Sequence, residues 1–263
     1  MAFALGPQAE QAGYRLAGYD SIGSTNSEAL RRSRAGERGP LWIAAREQTQ
    51  GRGRRGRAWS TEDGNLAASL LMTVNVPLPV AATLGFVAAL ALQRAIADCT
   101  QGLSITLKWP NDILASGRKL AGILLESESI DGEAVVVVGM GVNVVSAPED
   151  TPFPAVSLAA LGQTASAEHI FAELSDAWAG LCTQWDHGRG FDAVRAQWLA
   201  QAAGLGKEIS VRTGDTLLQG IFETLDEQGR LVLHDIEGRR MTVTAGDVYF
   251  GTAATLAAQA RAH

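Results

Sequence analysis

The sequence predicts an α+β chain, a strand-rich body flanked by helices and followed by a small β-barrel. Three observations lead there. Segments of period-two alternation interleave with amphipathic helical stretches as far as Ala202, the pattern changes to short strands and tight turns from Lys207 onward, and Gly204 and Gly206 mark the change. With 263 residues and 46% hydrophobic content the chain is long and apolar enough for a substantial core and a smaller appendage. The expected division is a body over residues 1–204 and a barrel over residues 205–263.

Tyr14 to Asp20 reads as a short strand. The polar turn after it, Ser21 to Ser27, supplies caps for a helix over Ser27 to Arg34, because Ser24, Thr25 or Asn26 can accept from a free N–H of the first turn. Leu41 to Arg46 is a strand entering a Gly/Arg loop, and Asn65 to Val74 is a second strand leaving it. Val80 to Cys99 reads as one helix whose most apolar part, about thirteen residues to Leu92, is short for a membrane span and runs into Gln93 and Arg94. Leu103 to Lys108 alternates as a strand, and Lys119 to Glu126 and Glu133 to Val138 form two more, joined across Asp131-Gly132. Ser166 caps an amphipathic helix over Ala167 to Trp185, and Phe191 to Ala202 forms a shorter one. The barrel strands are Glu208 to Arg212, Leu217 to Leu225, Arg230 to Asp235, Arg240 to Thr244 and Val248 to Phe250, with turns at Asp226 to Gly229 and Glu237-Gly238.

Charge excludes one broad class. A net charge of −6 does not suit a sequence-independent grip on a phosphate backbone, which needs a wide basic face. Cys99 and Cys182 lie in apolar helical patterns outside any metal-ligand spacing, so neither a disulfide framework nor a zinc site is expected. No basic leader or cleavage pattern opens the chain, and the expected location is the cytoplasm, with no membrane partner.

Against that acidic background, Gly51 to Gly56 and Arg57 put four arginines and three glycines into seven positions. Glycine lets the backbone approach a ligand closely, and guanidinium forks match pairs of phosphate oxygens. The spacing Gly51-x-Gly53-x-x-Gly56 formally matches a dinucleotide fingerprint, but a strand rather than a helix follows and no acidic residue stands where the ribose needs one. No Gly-Lys-Ser/Thr ending makes it a Walker loop. An RNA-binding arginine segment or a plain solvated loop stays open on this motif alone.

Three further blocks carry chemistry. Lys108-Trp-Pro-Asn-Asp112 ends a strand in a rigid turn that presents a lysine, an indole and a carboxylate, although Asn-Asp also serves simply to cap a turn. Lys119 to Glu126 sets one lysine at the mouth of an apolar strand, with Gly122 offering bare backbone to whatever presses on it. Gly139-Met-Gly-Val-Asn143 follows four valines and reads as a glycine turn ending on an amide that either serves a ligand or stabilises the turn.

In this order, Ser24-Thr25-Asn26, Gln48 to Trp59, Lys108 to Asp112, Lys119 to Glu126 and Gly139 to Asn143 closely resemble the biotin protein ligases, and the resemblance covers essentially the whole chain. It implies an α+β fold with a mixed sheet flanked by helices, of the class II aminoacyl-tRNA synthetase and biotin ligase type, with a small C-terminal SH3-like barrel. The Ser-Thr-Asn block at Ser24 leaves no room for the helix-turn-helix that some members place before it, so the monofunctional form without a DNA partner is expected. One departure is Gln50, where the family commonly has alanine, which leaves Gln48 as the counterpart of the biotin-contacting glutamine.

The implied reaction joins biotin to ATP, with Mg²⁺, as a biotinyl-adenylate and passes the biotin to a lysine of a carrier protein or domain of a biotin-dependent carboxylase. On the resemblance, Ser24, Thr25, Asn26 and Gln48 hold the ureido ring. Gly51, Arg52, Gly53, Arg54 and Arg57 meet the phosphates and the biotin carboxylate. Lys119 bridges carboxylate and α-phosphate, Gly122 borders the ligand, Trp59 stacks on adenine and Asn143 bonds the nucleotide side. Arg54 and Lys119 are the expected catalytic cations, and Asp112 receives the acceptor amine or its proton, or merely holds the turn. No protein metal ligand is assigned. The arginine loop is expected to be disordered without ligand and to close over it. A free sheet edge suits either the acceptor or a second subunit of a homodimer. Competing readings are a lipoate ligase-like acyl-adenylating enzyme and a nucleic-acid-binding module.

Overall fold

The computed structural model describes residues 2–250 apart from Ser60, Asp131, Asp150 and Pro152. Residue Asp131 of the expected turn and residues 251–263 of the expected barrel lie outside the described residues. The chain runs α1 (Pro7–Gln11), β1 (Arg15–Ile22), α2 (Thr25–Arg34), β2 (Leu41–Gln48), β3 (Leu66–Val74), α3 (Leu78–Ala81) and α4 (Leu84–Cys99). It continues through β4 (Ile105–Lys108), β5 (Asp112–Ala115), β6 (Arg118–Ile130), β7 (Glu133–Val142), α5 (Ala167–Trp185) and α6 (Phe191–Ala200). The last part is all strand: β8 (Glu208–Thr213), β9 (Thr216–Leu225), β10 (Leu231–His234), β11 (Arg240–Val243) and β12 (Asp247–Phe250).

Seven strands form a mixed sheet in the order β1-β2-β3-β7-β6-β5-β4, parallel only between β1 and β2. Strands β8 to β12 form a separate antiparallel sheet in the order β11-β10-β9-β8-β12. Alternation along β7 explains how one strand serves two faces. Val136, Val138, Met140 and Val142 join the large core against α4 and α5, whereas Val135 and Val137 pack under α2 with Ile43 and Leu71. Gly139 and Gly141 continue that second face beyond the cover of α2, and the face opens there into a cavity.

Two expectations are corrected, and two elements went unread. The stretch read as one helix from Val80 is two, because the Thr83 hydroxyl donates to Val80 O (2.6 Å) and accepts from the Trp185 indole (2.8 Å), a local bond that competes with the helical ladder. Residues 78–99 include an 18-residue run apolar enough to cross a membrane, but two-thirds of that run is buried inside the protein, as expected of core rather than membrane helix. Gly139 to Val142 is strand rather than turn, since β7 keeps its ladder to both β3 and β6 through Val142. Strand β5, which returns directly from the Lys108 to Asp112 turn, and the short helix α1 went unread.

The second sheet is keyed onto the body by the β9–β10 turn. The Trp109 indole, buried, donates to Gly229 O (3.1 Å), and Arg195 on α6 donates to Leu225 O (3.0 Å). Gly229 combines a φ of 74° with a place where a Cβ would lie 2.4 Å from the Phe86 ring, so only glycine fits. At the outer edge the Tyr249 and Phe153 rings pack 4.9 Å apart.

Candidate active site

A cavity of about 550 Å³ opens over the face of β6 and β7 that α2 leaves uncovered. It is roofed by the arginine loop, flanked by the turn from β4 to β5, and closed at one side by Gly246 to Val248 of the C-terminal sheet. Ser24, Thr25, Asn26, Gln48, Arg52, Gly53, Arg54, Arg57, Trp59, Asp112, Lys119, Gly122 and Asn143 all line it. Gly51 stands just behind the wall, where a Cβ would meet Trp59 O at 2.2 Å, and it accepts from Trp59 N (2.9 Å).

One end is lined by buried, uncharged polar side chains. Ser24 caps α2 by accepting from Ser27 N (3.4 Å), which fixes Thr25 and Asn26 in the first helical turn. Gln48 Oε1 accepts from Thr25 N (2.8 Å) and Thr25 Oγ1 (3.0 Å), while its Nε2 donates to Thr61 Oγ1 (3.1 Å). Ser69 Oγ lies 2.7 Å from Thr25 Oγ1 and 2.5 Å from Asn26 Oδ1, so its single proton can serve one of the two at a time. Asn26 Nδ2 donates to Glu126 (2.7 Å). Ser24, Thr25, Asn26 and Ser69 are all buried, so a ligand must replace their bonds with equally good ones.

The floor is made of missing side chains. Cross-strand partners Gly122 and Gly141 lie side by side, as do Ser69 and Gly139. A Cβ on Gly139 would sit 2.2 Å from Asn26 Oδ1, and one on Gly141 would sit 2.4 Å from the Trp59 indole nitrogen. The Trp59 ring thus rests on bare backbone between Gly122 and Gly141, with Lys119 Nζ 5.5 Å from its centroid.

The other end is cationic. Five cations (Arg52, Arg54, Arg57, Lys108 and Lys119) face two carboxylates (Asp112 and Asp247) among the described lining residues, in a chain of net charge −6. Lys119 Nζ is 2.6 Å from the Asp112 carboxylate across the β5–β6 pair. Lys108 Nζ sits 3.6 Å above the Phe153 ring, and burial pulls this ammonium down to about 8, with the Asp112 carboxylate opposing that and Lys119 adding to it. Arg54 donates to Asn111 Oδ1 (3.1 Å) and Gly246 O (3.4 Å), both neutral, and burial also lowers its pKa against the pull of Asp247. By contrast Arg52 pairs with Glu126 (2.9 Å), and Arg55 and Arg57 pair with Asp247.

Asn143 is buried and already engaged. Its Nδ2 donates to Val156 O (3.3 Å) and more loosely to Lys119 O (3.5 Å), so it pins the backbone around Lys119. Sequence reasoning missed Ser69 and Asp247, and it gave no individual role to Lys108, Asn111 and Glu126, which stand inside the blocks it singled out. Ser69 could have been found as the one hydroxyl between alanine and leucines in an apolar strand; Asp247, 190 residues from Arg57, left no such signal.

Comparison with known proteins places this geometry. The model of the biotin/lipoate A/B protein ligase family matches residues 20–143, and that of the biotin protein ligase C-terminal domain matches residues 204–251. The chain is 43% identical over 236 residues to a biotin–acetyl-CoA-carboxylase ligase of Paracoccus denitrificans, covering 87% of this chain and 97% of that relative. The chain belongs to the biotin protein ligase family. A ligase of the same name from Mycobacterium tuberculosis is 36% identical, covering 86% of this chain and 85% of that one. The structure of the biotin protein ligase from Aquifex aeolicus in complex with biotin and ATP superimposes with a TM-score of 0.75 at 22% identity, over 90% of this ligase and 99% of that chain.

Among the described residues no group of three or more His, Cys, Asp or Glu side chains could hold an ion, and Asp112, Glu126 and Asp247 each face a cation. Nucleotide phosphate oxygens would be the natural ligands of a bound Mg²⁺.

Proposed function

We propose that the chain activates biotin with ATP and transfers it to a lysine of a biotin carboxyl carrier protein or domain, working in the cytoplasm through a catalytic body over residues 1–204 and a barrel over residues 205–263. One observation supports this reading above others. A neutral donor–acceptor cluster and a cation-rich end share one cavity, as a ligand with an uncharged polar head and a reacting carboxylate requires.

Ser24, Thr25, Asn26 and Gln48, with Ser69 behind them, take the ureido ring, whose carbonyl and N–H groups need both acceptors and donors. A carboxylate oxygen of biotin attacks the α-phosphorus, the bond to the bridging oxygen breaks, and pyrophosphate leaves. Arg54 is the loop guanidinium that holds no carboxylate, so it is ready to meet these oxygens, and Arg52, Gly53 and Arg57 bring the loop backbone and charge around them. Lys119 swings from Asp112 to the converging carboxylate and phosphate oxygens. That frees Asp112 to receive the acceptor lysine, which first sheds one proton to solvent to become the attacking neutral amine. The amine then attacks the anhydride carbonyl, AMP departs and the amine proton passes toward Asp112.

Biotin-dependent exchange of pyrophosphate into ATP tests the reading, with lipoate as control. Exchange with biotin and none with lipoate is expected. Equal exchange with both would overturn the assignment of Ser24 to Asn26 and Gln48 to the ureido ring.

A further inference from the structure

We propose that Asp247, a carboxylate of the C-terminal sheet, is a positioning residue of the ligase: it latches the arginine loop over the cavity through Arg55 and Arg57 and so keeps Arg54 free for the reacting oxyanions. The proposal rests on the biotinylation reading above.

The loop is folded on itself and tethered at both ends. Gly53 N donates to Arg57 O (2.8 Å), Arg52 and Ala58 form a bridge, and Arg52 is held by Glu126 on β6. The far side is held from the other domain. Asp247 Oδ2 accepts from Arg55 Nη1 (3.0 Å) and from Arg57 Nη2 (2.7 Å), and Gly246 O accepts from Arg54 (3.4 Å). The Asp247 side chain is only 11% exposed, whereas those of Arg55 and Arg57 are 44% and 49% exposed. The anchor is thus fixed and the arms are wet.

What fixes the anchor is independent of the loop. Asp247 pairs with Arg212 in the β12–β8 ladder, Val248 is buried beside it, and the β9–β10 turn is locked to Trp109. Burial alone would raise the Asp247 carboxyl, yet the bond from Arg57 and the charges of Arg57, Arg55 and Arg54 hold it below the usual range, so the latch is charged at neutral pH. Ion pairs whose arginine arms are half exposed contribute little to a fold, but a small bias suffices to set the open and closed populations of a loop. Two arginines spent on one carboxylate also leave Arg54 with neutral partners only, which sorts the loop guanidiniums into holders and a reagent.

The test compares the full chain with Asp247→Asn, Asp247→Glu and, from the loop side, Arg55→Gln. Hydrogen exchange of the amides of residues 51–59 should speed up about tenfold in Asp247→Asn, and by less in Arg55→Gln, while β6 and β7 keep their protection. The KM for ATP should rise about tenfold in Asp247→Asn with the KM for biotin unchanged, free biotinyl-adenylate should appear in the medium, and Asp247→Glu should recover most of both. Wild-type exchange in the loop and wild-type KM for ATP in Asp247→Asn would overturn the proposal, as would a uniform loss of protection in β6 and β7, which marks a structural role. Failure of the wild-type chain to exchange pyrophosphate with biotin would instead overturn the biotinylation reading, and the loop measurement would still decide the latch.

Discussion

The two ends of the cavity are built in opposite ways. At the neutral end most polar groups sit on regular elements, Thr25 and Asn26 on α2, Gln48 at the end of β2 and Ser69 on β3, with hydrogen bonds that leave little room to move. At the cationic end the arginines sit on a loop, where Arg55 and Arg57 are held by ion pairs that reach across to the C-terminal sheet and Arg52 by one to β6. Recognition of an uncharged ring needs acceptors and donors fixed to fractions of an ångström, whereas charge that must meet a polyanion, enclose it and release pyrophosphate has to be able to let go.

If the division is right, substitutions at the two ends should fail in different ways. The largest effect is expected at Lys119. Lys119→Ala should lower the turnover of biotin-dependent pyrophosphate exchange by roughly 10²- to 10³-fold, the usual cost of losing a group that stabilises developing charge, with circular dichroism unchanged. A drop below tenfold would shift the central role to Lys108 or Arg54.

Next comes Gly139→Ala at the neutral end. Its Cβ would push into Asn26 Oδ1, whose amide is already held by Glu126 and Ser69, so the cluster must break somewhere. The KM for biotin should rise about 10- to 100-fold, corresponding to ~1–3 kcal/mol for an unpaired buried polar group, and turnover should stay close to wild type. Unchanged binding in a calorimetric titration would mean that Asn26 does not contact the ring.

Arg54→Ala sharpens the comparison from the loop side. It should allow biotinyl-adenylate to escape, roughly fivefold above the wild-type background, read by chromatography of a reaction without acceptor. Loss of adenylation with no escape would mean that the roof does not act as a lid.

The smallest effect concerns stability. The folded chain binds the Lys108 proton less tightly than the unfolded chain does, so its charge is a burden of folding below about pH 8, and the burden fades as pH rises from there toward the ordinary lysine value of ~10.4. Lys108→Met should therefore raise Tm by about 2–4 °C at pH 7, with the gain shrinking by pH 9.5. A gain that does not vary with pH would trace it to packing on Phe153 instead.

Much of this architecture was legible in local pattern. The caps at Ser24 and Ser166 and the period-two strands of the second sheet all appear where the sequence puts them, because each depends on neighbours within a few residues. Gly139 and Gly141 were misread because glycine after a strand usually marks a turn, although their spacing of two was also that of one sheet face. Glu126 and Asp247 show the harder limit. Each is an ordinary acidic residue by sequence, and only the tertiary fold brings it to an arginine of the loop.

The seating of the β9–β10 turn bears on how such ligases can be recombined. Only glycine fits that socket, because Phe86 and Phe191 leave no space for a side chain while the Trp109 indole holds the Gly229 carbonyl, and three separate stretches of the body supply those rings. Barrels are therefore not interchangeable parts: a chimaera that takes its C-terminal sheet from a relative has to import the socket as well, or Asp247 will arrive in the wrong place to reach the loop.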